Sequence, residues 1–351
     1  MIWPLFKTLI TGKPADKKSD KATPKRGGFS AADYSRLTAS LQNDNEHIMR
    51  ILRHQGRALR SRSRQLANNN SYASKFVNMA ISNVCGPTPF KLQAKIKSSR
   101  GKLDDYANGR VEREWKEWGR VGVCDFNGRM SWADMQRLIT RTIVVDGEVL
   151  IRVFEGSGFS PWGMQLQIMD TDRLDEDKNE ELKGGGAIIA GVEVDSYGRT
   201  VAYHFLKNKV QHWMNGHRKE YIRIPAEQII HIFVPMYAEQ LRGVPWMHSA
   251  IMKLHQLNAF EEAAIIAARV GASKVGFYKN TGDGATFYPE GSDINSDGNF
   301  IQTAEPGEFA QLPAGWDFQS FDPAYPDSQV DPFLKSCLRG VASGLNVAYP
   351  S

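Results

Sequence analysis

Two helical stretches and the glycine-rich insert they bracket constrain this chain more than any other feature. Trp246 to Val270 (WMHSAIMKLHQLNAFEEAAIIAARV) and Gln329 to Leu345 (QVDPFLKSCLRGVASGL) both read as helices. Between them, Gly271 to Ser328 is dense in Gly, Pro, Asp and aromatic residues, the composition of short strands joined by turns. A helix out, a small β module and a helix back is an unusual layout for an enzyme. It suits a tubular part, with the helices as wall and the insert as a protruding tip.

The 351 residues allow two or three domains. Hydrophobic residues at 41% and charged residues at 24% are the proportions of a soluble globular protein. No apolar run approaches the ~20 residues of a membrane span, and the opening MIWPLFKTLITGK lacks the architecture of a secretory signal. Cys85, Cys124 and Cys337 lie far apart, without metal-ligand spacing, and read as buried thiols in a reducing cytoplasm. The formal charge of +5 conceals an asymmetry: residues 1–70 hold 14 Lys and Arg against 5 Asp and Glu, so the remainder is net acidic. Attraction for acidic partners is therefore concentrated near the N-terminus.

Residues 1–28 read as a disordered basic arm, polar and Lys-rich from position 11. From Phe29 to Asn70 the pattern is helical, with Leu41, Ile48, Ile51, Leu52 and Leu59 as a broken apolar stripe and arginines at 50, 53, 57, 60, 62 and 64 around it. Arg53, Arg57, Arg60 and Arg64 form a candidate basic partner face, for phosphates, scaffold protein or an acidic neighbouring subunit. The alternative is a solvated helix with local pairing, although no acid lies among these six arginines, over positions 50–64, to neutralise them. Asn68 to Ser71 supplies a cap for a helix over Tyr72–Asn83. Phe90–Ala94 alternates like a strand. Residues 104–119 form a charged helix with Trp115 and Trp118 as core anchors. Ser131 caps a helix to about Thr142, and Ile143–Phe154 reads as a hairpin turning at Asp146-Gly147. Strand patterns over 164–170, 188–194, 200–206, 221–224 and 229–234 make residues 143–234 an α+β or mainly β domain.

Chemistry finds no foothold. Asp146, Glu148, Asp170, Asp172 and Asp175 sit at strand ends, where metal-assisted phosphoryl chemistry or plain turn and cap roles would both place them. No phosphate-cradling loop, nucleophile elbow or dinucleotide fingerprint exists. His248 and His255 share a helix face without a zinc-binding H-E-x-x-H. Asp293 to Gly298 (DINSDG) opens like a calcium loop, but position 12 is Ala304 and Glu305 comes one residue late. No catalytic residue, metal or cofactor is expected.

The motifs, taken together, resemble the lambda-like family of tailed-phage portal proteins. The resemblance is carried by Arg60–Tyr72 (RSRSRQLANNNSY) and Asn83–Gln93 (NVCGPTPFKLQ), then Asp146-Gly147-Glu148 and Gly191–Phe205 (GVEVDSYGRTVAYHF). Ile230–Phe233 followed by Gln240–Pro245 (QLRGVP) is its most specific part, and Phe321–Tyr349 completes it. It implies an α+β portal fold: a wing over 29–240, a first stem helix over 241–270, a clip over 271–326 and a second stem helix over 327–351. It implies a homo-oligomeric ring, typically of twelve subunits, at one capsid vertex of a virion, assembled in the host cytoplasm. Terminase large subunit, head-completion or adaptor protein, major capsid and scaffold proteins would be its partners. Double-stranded DNA would pass non-specifically through the axial channel. Family members continue into a tunnel loop, further wing and crown, so the resemblance implies a C-terminally truncated chain.

Within that frame a stem helix must bury a face on each neighbour, and Phe260, Ala263, Ala264, Ile266 and Ala267 are its candidate subunit interface. Arg269, Lys274, Lys279, Lys335 and Arg339 are candidates to face DNA, as the few scattered cations that a non-specific channel requires. Their alternatives are an ordinary buried helix and solvated or subunit-pairing cations. Three other readings compete: a basic-armed monomeric nucleic-acid-binding protein, a metal-dependent nuclease using the strand-end aspartates, and a non-assembling prophage remnant.

Overall fold

The computed structural model describes residues 46–88, 90–207, 219–272, 276–280, 293–294, 300–301, 316–320 and 330–349. The chain divides into two units, Met1–Glu46 and His47–Ser351, and the fold below is that of the second. The expected basic arm, the start of the first helix, Lys274 and the loop of the calcium-like motif lie outside the described residues.

Helix α1 (Ile48–Asn69) begins where the His47 ring accepts the Met49 N–H. Met49, Leu52, Gly56, Arg60, Ser63 and Ala67 make its buried stripe at helical spacing. Asn70 both ends α1 and starts α2 (Ser71–Cys85): its own N–H reaches the Leu66 carbonyl, and its side chain accepts the Ala73 N–H. The expected asparagine cap is thus Asn70. Asp104 caps α3 (Asp105–Trp118), and Ser131 with Asp134 forms a capping box at the head of α4 (Trp132–Asp146).

Two local expectations fail. Ile143–Phe154 is not a hairpin. Helix α4 continues to Asp146, Gly147 closes it at φ 90, and β1 (Glu148–Glu155) follows directly. Burial overrides the strand preference of the β-branched run, because Val144 and Val145 pack against α2 and the start of the later long helix. Nor does Phe90–Ala94 join a sheet. Side chains stand in for a ladder there: Gln136 accepts the Phe90 N–H and donates to its carbonyl, and Glu112 accepts the Ala94 N–H.

Strand β1 is central in a three-stranded antiparallel sheet with β2 (Met164–Met169) and β8 (Ile229–Phe233). Its alternation divides the core. Val149 and Ile151 face α3 and α4 in a cluster with Trp118, Cys124, Met135 and Leu166. Leu150 faces the opposite way, toward a five-stranded antiparallel meander of β3 (Glu180–Glu181), β4 (Ala187–Ile189), β5 (Val192–Val194), β6 (Thr200–Leu206) and β7 (Tyr221–Pro225). Residues 143–234 are therefore α+β, with the small sheet between helices and the larger sheet.

Helix α5 (Ile251–Ala272) starts five residues later than its pattern predicts. Pro245 precedes a turn in which the Met247 carbonyl accepts the N–H groups of both Ala250 and Ile251. Helix α6 (Val330–Gly344) returns beside it. The beginning of α5 (Ile251, Leu254) and the end of α6 (Val341, with Leu345) share one core with α1, α2 and α4, so the two helices leave and re-enter the body at one place. Of the insert, β9 (Gly276–Asn280) pairs antiparallel with β12 (Trp316–Ser320), and β10 (Asp293–Ile294) with β11 (Phe300–Ile301). Among the described residues no helix is long and apolar enough to cross a membrane.

Trp118 anchors the helical layer: it is 2% exposed, packs against Trp115 and Trp132, and donates its indole N–H to the Met164 carbonyl at 3.0 Å. Trp118→Ala should lower unfolding free energy by about 3–5 kcal/mol in urea titration. Tyr106→Ala, at an exposed position, should stay within about 0.5 kcal/mol of wild type.

Candidate functional site

The Asp146-Gly147-Glu148 and Gln240–Pro245 segments are far apart in sequence and meet face to face. Glu148 is fully buried and Arg242 is 2% exposed. Arg242 Nη2 lies 2.6 Å from Glu148 Oε1, and Nε donates to the same carboxylate at 2.8 Å. The other carboxylate oxygen accepts from the Gly243 N–H at 2.7 Å and faces His231 Nε2 at 3.1 Å. Arg242 Nη1 donates to the carbonyls of Leu174 and Ala190. Burial alone would push the Glu148 carboxyl up. Arg242 and His231 outweigh it and hold the group well below the usual carboxylate range. Both flanking glycines are sterically required: a Cβ on Gly147 would lie 2.2 Å from the Val244 carbonyl carbon, and one on Gly243 2.2 Å from the Gly147 oxygen. Sequence reasoning missed this lock. Its signal was present as two opposite charges, each beside a glycine, inside otherwise apolar runs.

The arginines of α1 meet acids contributed by the strand ends. Arg64 holds Asp146 through two bonds of 2.7 Å and reaches Asp172 at 2.6 Å and Asp170 at 3.2 Å. Arg60 is buried between Glu176 at 2.5 Å and Asp172 at 3.2 Å. Arg57 spans Asp175 and Asp177. Gly56 makes room for this, since a Cβ there would stand 2.7 Å from Glu176 Oε1. Asp175, nearly inaccessible, also accepts from Lys219 and the Tyr221 hydroxyl at 2.7 Å each. Burial would raise its carboxyl, but these donors hold it low; burial, together with the same contact, pushes the Tyr221 hydroxyl up.

This corrects the basic-face expectation. Arg57, Arg60 and Arg64 are directed at acids of their own chain, from beyond the segment that could not neutralise itself; Arg53 alone of the four stands exposed without an ion pair to a described residue. The same pairing engages the acids on which the metal reading rested. Asp146, Asp170, Asp172 and Asp175 face guanidinium groups, and among the described residues no cluster of His, Cys, Asp and Glu is suited to hold a metal. His248 is half-buried, its ring at 3.0 Å from the Pro245 carbonyl, and His255 is exposed beside the α1–α5 cleft.

On the paired helices, Phe260 packs edge-on against Phe333 of α6, with ring centroids 5.0 Å apart. Ala264 is half-buried, whereas Ala263, Ile266 and Ala267 are exposed, as is Ile265. Arg269 is exposed near the end of α5, and Lys279 lies on β9. Lys335 pairs with Asp331 at 2.6 Å, and Arg339 stacks on Tyr349. Lys335 and Arg339 lie one turn apart on α6, and Lys274 lies outside the described residues.

Residues 34–351 match the family model described as phage portal protein, lambda family. The chain belongs to the lambda family of phage portal proteins. That is a family of structural proteins, not enzymes. A curated relative, the "Probable portal protein" of Halomonas phage phiHAP-1, is 32% identical over 295 residues, covering 83% of this chain. The portal chain spans 56% of that relative's length. Among solved structures it is similar to a chain from the neck of a native GTA particle (14% identity, TM-score 0.48, covering 82% of this chain and 68% of that one). It is also similar to a chain from the virion of a native gene transfer agent particle (13%, 0.43, 86% and 68%).

The lock sets the pH dependence of stability. A carboxyl whose folded-state pKa lies below its unfolded value of ~4.3 stabilises fully above that value and loses its contribution as pH falls. Urea midpoints should be flat from about pH 6 to 5 and drop below about pH 4.5. Glu148→Gln, which leaves Arg242 buried without its counter-ion, should cost about 3–5 kcal/mol at pH 7 and flatten the acid limb.

Proposed function

We propose that this chain is a subunit of the portal vertex of a tailed bacteriophage or prophage, building a ring with an axial channel for DNA. Residues 29–240 serve as wing, 241–270 as first stem helix, 271–326 as clip and 327–351 as second stem helix. The clip docks the terminase large subunit during packaging and head-completion protein afterwards, and the wing meets capsid and scaffold proteins. The ring, of about twelve subunits on the family pattern, resides in the virion after assembly in the host cytoplasm.

The observation that carries this reading beyond family membership is the uncovered apolar surface of α5. Ile265 and Ile266 are 59% and 52% exposed, beside exposed Ala263 and Ala267. The helix is apolar on more sides than α6 covers, as a wall shared between neighbours requires. The small alanines permit close approach of a second copy. Phe260, already seated on Phe333, acts within the subunit rather than between subunits. Arg269 and Lys279 near the helix-to-insert junction, with Lys274 between them in sequence, give loose phosphate contact without base reading, which suits transport of any sequence. Lys335 and Arg339 contribute less, being engaged by Asp331 and Tyr349.

Negative-stain electron microscopy with light scattering tests the reading on the purified chain. Rings with a central hole are expected. Ile265→Asp with Ile266→Asp should abolish them while the monomer's thermal midpoint stays within a few degrees, because both positions are exposed. A wild-type chain that remains monomeric at micromolar concentration would contradict it.

A further inference from the structure

Arg57, Arg60 and Arg64 of α1 are engaged inside the chain, and a second cluster of positive charge is exposed. Between Phe90 and Leu103 the sequence holds Lys91, Lys95, Lys97, Arg100 and Lys102 and no acid. All five are exposed, and no described carboxylate lies within ion-pair distance of any of them. The segment is extended and turns back at Ser98–Gly101, where Lys97 bridges to Leu103 and Ser98 donates to the Lys102 carbonyl.

One edge of this segment is occupied, and the other has no partner among the described residues. Phe90 exchanges two bonds with the Gln136 amide, Ala94 donates to Glu112, and Ile96 exchanges two with the Asn108 amide while accepting from the Asp104 N–H. Backbone groups of alternate residues in an extended chain point to opposite edges. Those of Lys91, Gln93, Lys95 and Lys97 therefore point away from α3 and α4, and no described group bonds to them. The side chains alternate as well. Phe90, Leu92 and Ile96 are 63%, 40% and 42% exposed on one face, and the lysines occupy the other.

We propose that this open edge, residues 90–97, receives an extended acidic segment of a partner protein as an added β-strand. Peptide N–H and C=O groups would complete the ladder, glutamates or aspartates would meet Lys91, Lys95 and Lys97, and apolar residues would cover Phe90 and Leu92. Lysines on an edge strand repel a second copy of the same edge. They thereby select against self-pairing and for an acidic occupant. A duplex could neutralise the charge but has no backbone to pair with the edge and no apolar face for Phe90. The site is independent of ring formation.

The test uses the full chain and a fluorescein-labelled peptide of about eight residues alternating glutamate with valine and threonine, read by anisotropy at moderate salt. Binding is expected. It should weaken at least tenfold when alternate peptide nitrogens are methylated on the pairing edge, a change that keeps every charge. Lys91→Glu with Lys95→Glu and Lys97→Glu should abolish it and create binding to the matching lysine peptide. Gln93→Pro, which removes an outward N–H, should weaken it without moving the thermal midpoint. Equal binding of the methylated peptide, or retention in the charge-reversed chain, would overturn the proposal. Tighter binding of a short DNA duplex, displacing the peptide and lost in the same triple variant, would reassign the surface to nucleic acid.

Discussion

The structure depends on one buried ion pair. Removing a carboxylate and a guanidinium from water costs several kcal/mol per ion, and a single contact seldom recovers it. Here the recovery is distributed. Glu148 receives Arg242, the Gly243 N–H and His231, and Arg242 also bonds two backbone carbonyls. Each bond lands on a different element, so the pair joins the α4–β1 junction, strand β8, the turn after β2 and the β4–β5 turn. The approach it needs is so close that neither Gly147 nor Gly243 tolerates a side chain. Because Pro245 and Trp246 follow at once, with the Trp246 N–H on the Val144 carbonyl, the same lock aims the start of α5.

The arginine ladder of α1 extends that logic outward. Arg64 is fixed by Asp146 at the end of α4 and shares Asp172, from the turn that follows β2, with Arg60; Arg60 and Arg57 reach Glu176, Asp175 and Asp177 in the loop beyond. A first helix with weak apolar content is thereby held to the sheets by charge. The ladder also decides what the surface offers: Arg57, Arg60 and Arg64 are engaged by acids of the same chain, whereas the 90–103 segment, unremarkable as a weak strand, carries five exposed cations without an ion pair to a described residue.

Much of the fold was legible, and the failures share a cause. Periodicity placed α1 to α6 and most strands because those patterns reflect burial on one face, and Asn70 and Ser131 act as the caps their chemistry suggests. Val144 and Val145 were misleading. Their branched side chains read as strand, and only contact with α2 makes them helical. Phe90–Ala94 alternates correctly yet finds the Gln136 amide and the Glu112 carboxylate where a strand would be. The start of α5 was displaced by the turn after Pro245. The acids at strand ends were read one by one as turn residues, and the arginines as a face. No local pattern reveals that the two sets, 82 or more residues apart, neutralise each other.

The lock, the ladder and the shared core give a body that α5 leaves and α6 re-enters at one place, with Ile265 and Ile266 of α5 exposed. On this account Glu148 and Arg242 open only when the whole unit unfolds. Native-state hydrogen exchange at the Gly243 amide measures this directly. If the lock is the keystone, that amide exchanges only through global opening, with a protection free energy equal to the unfolding free energy from denaturant titration. Exchange through a cheaper local opening, with the sheets still protected, would contradict the account.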